Sequence, residues 1–279
     1  MTDLSPLATD DGYFTIAALD HRDALVMEFE AASDQQGTEA IVAFKQQLLQ
    51  AIGDRPSAVM LEPEFSLPTL RSFVAEGVGV TCALEAQGYF SDPRAGNRLM
   101  DGWSPARVRS VGADAAKLLL LYRHDLGTFT DAQETLVRDV VSVAAAAKVP
   151  ILVEPLPIDL TDDADRAEVV IEAARRLSPM GPMLLKLPFP GTGHCDQLDK
   201  AAGSNPWALL SWGVTFDEYH RQLEEAVSAG CSGFTAGRAL WREGLASHGR
   251  EQFFATTLLE RFDQLAELTQ AGRPWFDRS

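Results

Sequence analysis

Short apolar runs rich in β-forming residues alternate with longer stretches of 3.6-residue periodicity from one end of this chain to the other. The runs predict strands at residues 14–20, 58–62, 78–84, 115–121, 149–154, 183–187, 207–211 and 233–237. Helical periodicity predicts helices at 32–50, 67–75, 105–111, 131–148, 164–177, 197–202, 216–229 and 252–269, and residues 85–103 read as a long loop rich in Gly, Pro, Asp and Arg. Eight strands alternating with helices, without an internal repeat or linker, is the count of a single α/β domain folded as a (β/α)8 TIM barrel over residues 1–279. A doubly wound sheet would carry a glycine fingerprint after the first strand, where this chain reads Asp20-His21-Arg22-Asp23.

Polar residues collect at the strand ends. Asp20, Glu62, Glu85, Glu154, Lys186, Ser211 and Arg238 each close an apolar run or follow it directly. In a barrel that end of the strands is the catalytic face.

At 279 residues and 46% hydrophobic content the chain is long enough for one large core. A formal charge of -16, with no Lys/Arg cluster, argues against nucleic acid or an anionic membrane surface as a partner, so a small anion must be held in a local pocket. Cys82, Cys195 and Cys231 are odd in number and widely spaced, which predicts neither a disulfide framework nor a zinc knuckle and fits a reducing cytoplasm. The first residues form no apolar signal segment, and no run reaches the ~18 apolar residues of a membrane span. A soluble cytoplasmic protein is expected.

Lysine is scarce: Lys45, Lys117, Lys148, Lys186 and Lys200 are all there are. Two of them lie inside strand runs. Lys186 ends an apolar run bounded by Pro182 and Pro188, where an ammonium loses hydration and must either pair or shed its proton. An amine in such a wall is a candidate Schiff-base nucleophile; the competing reading is a buried ion pair. Lys117, two strands away, can share its interior layer, either as a second cation beside the amine or as a partner of Glu154 or of a substrate phosphate. Glu154 is placed to act as general acid/base, with Asp20 sharing that work or orienting hydroxyls. Ser211 and Gly213 after strand seven, with Gly237 and Arg238 after strand eight, supply a hydroxyl, backbone N–H groups and a guanidinium where such barrels commonly hold phosphate. The five histidines show no metal-ligand spacing, so no metal is expected.

The segments Ala18–Leu25, Ala116–Leu119, Val153–Pro155, Leu185–Lys186, Leu210–Val214 and Ala229–Trp241, in this order, resemble the tagatose-bisphosphate and sulfofructose-phosphate aldolase branch of the class I aldolases. The resemblance implies a (β/α)8 barrel that reversibly cleaves a ketose phosphate to dihydroxyacetone phosphate and an aldehyde, without cofactor or metal, as a homo-oligomer whose one small-molecule partner is a sugar phosphate. It implies that Lys186 forms the imine, Glu154 is the acid/base, Lys117 and Asp20 are the polar pair beside the imine, and Ser211, Gly213, Gly237 and Arg238 cradle the phosphate. The chain departs from the family pattern at His21, where glutamine is typical, and at Pro188, where glutamate is typical. These departures direct attention to the aldehyde end, which is expected to be read by His21, Arg22 and the loop after strand three, with Arg94 and Arg98 available to an anionic group. Two other readings of the same residues are a barrel lyase or isomerase without a covalent step and a sugar-phosphate-binding regulatory protein that has lost turnover.

Overall fold

The computed structural model describes residues 3–33 and 37–278. Eight parallel strands close into one barrel in sequence order: β1 (Phe14–Ala18), β2 (Ala58–Leu61), β3 (Gly79–Ala83), β4 (Ala115–Tyr122), β5 (Ile151–Pro157), β6 (Leu184–Leu187), β7 (Trp207–Leu210) and β8 (Gly233–Ala236). The helices around it are α1 (Asp23–Ala32), α2 (Thr38–Ile52), α3 (Thr128–Ala147), α4 (Asp163–Leu177), α5 (Cys195–Ala202), α6 (Phe216–Ser228), α7 (Arg238–Trp241), α8 (Arg250–Ala255) and α9 (Thr257–Thr269). The helices predicted at 67–75 and 105–111 form as 3-10 helices, Thr69–Phe73 and Pro105–Val111.

The barrel interior begins as an apolar plug. Phe14, Ile16 and Ala18 of β1 pack with Ala58 and Met60 of β2, Ala115 of β4, Leu152 of β5, Leu184 of β6 and Ala208 of β7. Leu4 and Leu7 join this cluster, and Ser57 Oγ, just before β2, donates to Leu7 O at 2.8 Å. Side chains alternate along a strand, so the next inward positions up the wall are Asp20, Lys117, Glu154 and Lys186. The same period that fills the plug therefore delivers two cations and two anions to one level of the barrel.

The predicted strands all form, with ends shifted by at most three residues. β5 runs furthest past its expected end, through Pro155 and Pro157. Above Val153 it pairs only with β4, and Ile158 N donates to Tyr122 O, so the N–H groups of alternate residues 155 and 157 would face β6, where no ladder exists for proline to break.

The helix expected at 32–50 forms as α2, and a helix that was not expected, α1, precedes it. α1 ends at Ala32, and α2 begins after Gly37, whose φ of +87° suits glycine; residues 34–36 lie outside the described residues. The last predicted helix is divided, at Thr256, into α8 and α9. Among the described residues, no helix is long and apolar enough to cross a membrane.

Candidate active site

A pocket opens at the C-terminal ends of the strands, with Asp20, Glu85, Lys117, Glu154 and Lys186 at its floor and Arg238 at one side. Lys186 Nζ lies 3.0 Å from Glu154 Oε2 and 3.6 Å from Met60 Sδ, and its side chain is 6% exposed. The amine thus has a carboxylate on one side and the thioether of the apolar plug on the other. Glu154 Oε2 also lies 2.9 Å from Lys117 Nζ. Neither ammonium is aligned on that oxygen as a hydrogen bond, so it sits between two nitrogens with acceptor capacity in hand.

Lys117 is the hub of the floor. Its Nζ is 2.8 Å from Asp20 Oδ2, 2.9 Å from Glu154 Oε2 and 3.1 Å from Glu85 Oε1. Burial opposes its charge, but Asp20, Glu154 and Glu85 outweigh burial and hold the ammonium well above the usual lysine range. Burial likewise opposes ionisation of Asp20, yet Lys117 and Lys186 overcome it and keep that carboxyl far below the usual range. Lys117 is therefore a permanent cation and Asp20 a permanent anion at neutral pH.

Glu85 was legible as a polar residue of the catalytic face, but its role was not. Its Oε1 accepts from Lys117 Nζ at 3.1 Å and from Arg22 Nη2 at 2.8 Å, and its Oε2 accepts from Leu119 N at 3.0 Å. Glu62 lies elsewhere. It turns into the loop after β2, accepting from Glu64 N, Phe65 N and Ser66 Oγ, and pairs with Lys45 of α2. Lys45 Nζ then donates to His21 O at 3.1 Å, so a buried ion pair outside the pocket fixes the backbone beside Asp20.

The strand seven and eight end is cationic. Ser211 Oγ accepts from Gly237 N at 3.3 Å, joining the two loops. Trp212, at φ +41°, and Gly213, at φ +73°, turn the chain beneath Arg238 and Arg242; a Cβ on Gly213 would stand 3.1 Å from Nη2 of each. Two residues here escaped sequence reasoning. Arg242 donates to Gly213 O at 3.1 Å, and Glu28 of α1 holds Arg238 Nη1 at 2.6 Å and Arg242 Nε at 3.2 Å. The only signal for either is helical spacing, with Arg242 one turn beyond Arg238.

The other end of the pocket departs from expectation. His21 lines it, packed edge-on against Trp241 with ring centroids 5.2 Å apart, and burial pushes its imidazole well below the usual value. Arg22 also lines it but is buried and engaged by Glu85. Arg94 and Arg98 do not reach the pocket. Arg94 pairs with Asp159 at 2.6 Å and Arg98 with Asp101 at 3.2 Å, all largely exposed. The loop carrying them folds back on itself: Ala86 N donates to Arg98 O, Met100 N to Leu84 O, and Asn97 Oδ1 accepts from Leu121 N. This turns Gln87, Tyr89 and Phe90 to the mouth and the two arginines away from it. Among the described residues, no three His, Cys, Asp or Glu side chains are grouped to hold a metal ion.

Comparison with known proteins matches residues 14–243 to the model of the DeoC/LacD family aldolases. The tagatose 1,6-diphosphate aldolase of Lactococcus lactis subsp. lactis is 27% identical over 99% of this chain and 97% of its own length. Tagatose 1,6-diphosphate aldolase 1 of Enterococcus faecalis is 29% identical over 87% of this chain and 84% of its own length. Among solved structures, an archaeal fructose 1,6-bisphosphate aldolase superposes with a TM-score of 0.71 at 18% identity, covering 95% of this chain and 97% of that one.

Proposed function

The chain belongs to the DeoC/LacD family of aldolases, and from that premise we propose that it cleaves a ketose phosphate to dihydroxyacetone phosphate and an aldehyde through an imine on Lys186. The observation that carries this reading is the setting of Lys186. Its amine stands at the floor of the pocket, 3.0 Å from a carboxylate oxygen that has no aligned hydrogen bond.

The neutral amine adds to the substrate ketone at C2. Glu154 moves the protons that let the carbinolamine lose water and become an iminium. Glu154 then takes the proton of the C4 hydroxyl, the C3–C4 bond breaks, and its electron pair flows into the iminium to leave an enamine and the free aldehyde. Protonation at C3 and attack by water release dihydroxyacetone phosphate and restore the amine. Asp20, held ionised, accepts hydrogen bonds from substrate hydroxyls, and Lys117 keeps the two carboxylates apart and oriented. Arg238, with Arg242 behind it, receives the phosphate at the end of β8. No step requires a metal.

Borohydride added during turnover tests this. A reduced adduct should map to the peptide carrying Lys186. Lys186→Ala and Lys186→Arg should lose both adduct and cleavage, because one removes the amine and the other offers a guanidinium that stays protonated. Turnover by either variant, or turnover without an adduct, would defeat the imine and favour a non-covalent lyase.

A further inference from the structure

The family relatives named above act, by their names, on a sugar diphosphate. The pocket of this chain provides for one phosphate. Two arginines and two lysines line it: Arg22, Arg238, Lys117 and Lys186. Lys117 is enclosed by three carboxylates and Lys186 faces Glu154, which leaves Arg22 at one end and, at the other, Arg238, whose Nη1 is held by the partly exposed Glu28 but whose Nε has no hydrogen-bond partner among the described residues.

Arg22 is fully occupied. Its Nη1 donates to Glu85 O at 2.9 Å and to Met100 Sδ at 3.5 Å. Its Nη2 donates to Glu85 Oε1 at 2.8 Å. With the Gln87 amide oxygen facing Arg22, that oxygen accepts from Nη2 at 2.9 Å and from Nε at 3.1 Å. A guanidinium has five N–H donors, and these partners take all five. The carboxylate partner of Arg22 is as buried as Arg22 itself, whereas the Arg238–Glu28 pair is partly exposed.

Among the described residues, no other cation replaces it in the pocket lining. Arg94 and Arg98 are paired outside the pocket. His21 is held neutral at neutral pH by burial. The wall opposite Arg238 is instead Gln87, Tyr89, Phe90, Leu119 and Leu156, an amide, a phenol and apolar surface. A phosphate there would be desolvated against apolar side chains and face Asp20, Glu85 and Glu154 across the floor.

Resting on the imine reading, we propose that the aldehyde half of this pocket takes an uncharged aldehyde with apolar character, so that the substrates are ketose 1-phosphates and not 1,6-bisphosphates. The enzyme then stands downstream of a step that phosphorylates a ketose once, at the carbon that will leave in dihydroxyacetone phosphate.

Matched substrates test this. Fructose and tagatose 1-phosphates and their 1,6-bisphosphates are compared for cleavage, and dihydroxyacetone phosphate is condensed with glyceraldehyde, lactaldehyde and glyceraldehyde 3-phosphate. The monophosphates and uncharged aldehydes should show kcat/KM at least ~10-fold above their phosphorylated counterparts. Leu156→Arg, which adds a cation to that wall, should narrow or reverse the difference. Equal or better use of the bisphosphates, or no turnover with any uncharged aldehyde, would overturn the proposal. Borohydride trapping with dihydroxyacetone phosphate alone separates the two levels. An adduct combined with bisphosphate preference defeats only the aldehyde assignment, whereas no adduct removes the imine reading and this inference with it.

Discussion

A Cβ on Gly237 would stand 2.7 Å from Cε1 of His21, so the missing side chain at the end of β8 is what lets the imidazole lie against the strand wall. Gly237 N also donates to Ser211 Oγ, which ties this contact to the cationic end of the pocket. Gly237→Ala should cost ~1–3 kcal/mol of stability by overpacking and weaken dihydroxyacetone phosphate binding. Adding His21→Ala should recover much of the loss, since the clash lies with the imidazole. Chemical denaturation of the single and double variants measures the coupling, and strictly additive losses would show that the two residues do not compete for space.

Removing the Lys117 charge leaves Asp20, Glu85 and Glu154 buried together. Lys117→Met should destabilise the fold by ~3–5 kcal/mol at neutral pH. Asp20 is held below its usual 3.8, so its share of the stability is present above that pH and is lost as pH falls below it. Lys117 is held above its usual 10.5, so its share is present below that pH and is lost as pH rises past it. The gap in melting temperature between wild type and variant should therefore be widest between these limits and narrow outside them. A constant gap down to pH 3 would contradict the assignment.

Arg238→Ala should weaken phosphate-bearing substrates by ~1.5–3 kcal/mol, the loss of a charge-assisted bond, and barely affect an unphosphorylated analogue. Arg242→Ala should act in the same direction more weakly, through Gly213 and Glu28. Steady-state kinetics on a phosphorylated and an unphosphorylated ketose decide this; equal losses on both would make Arg238 structural.

The three cysteines should be silent. All are buried, and burial pushes the thiols of Cys82 and Cys231 up to about 12. Ellman's reagent should find no fast-reacting thiol in the folded chain and three after denaturation. A fast-reacting thiol in the native chain would show that one of these sites opens to solvent.

Lys186, Lys117, Glu154 and Asp20 could be read from the sequence because each is an ionisable residue continuing an inward-facing apolar run, and strand period alone then fixes its direction. The barrel was legible for the same reason. α1 was not, because only Leu25 and Phe29 bury from it, too narrow a stripe to show as periodicity. With α1 went Glu28, whose place beside Arg238 depends on how that helix is rotated. The arginines expected at the aldehyde end illustrate a different limit. Sequence places Arg22, Arg94 and Arg98 in the loops that follow strands one and three but does not show which carboxylate claims each: Glu85 takes Arg22, Asp159 takes Arg94 and Asp101 takes Arg98.

One oxygen, Glu85 Oε1, receives both the Lys117 ammonium and the Arg22 guanidinium. Under the proposed function, the floor that carries the imine and the wall that faces the aldehyde share this fastening, and the two properties do not evolve independently through it. Any change at Glu85 or Arg22 that exposes a cation to a new substrate also loosens Lys117. Position 87 is the exception: Gln87 touches Arg22 and not Lys117, so shortening it would return two N–H groups to the pocket and leave the floor intact. A lineage or a selection experiment moving from uncharged to anionic aldehydes should pass through residue 87 first.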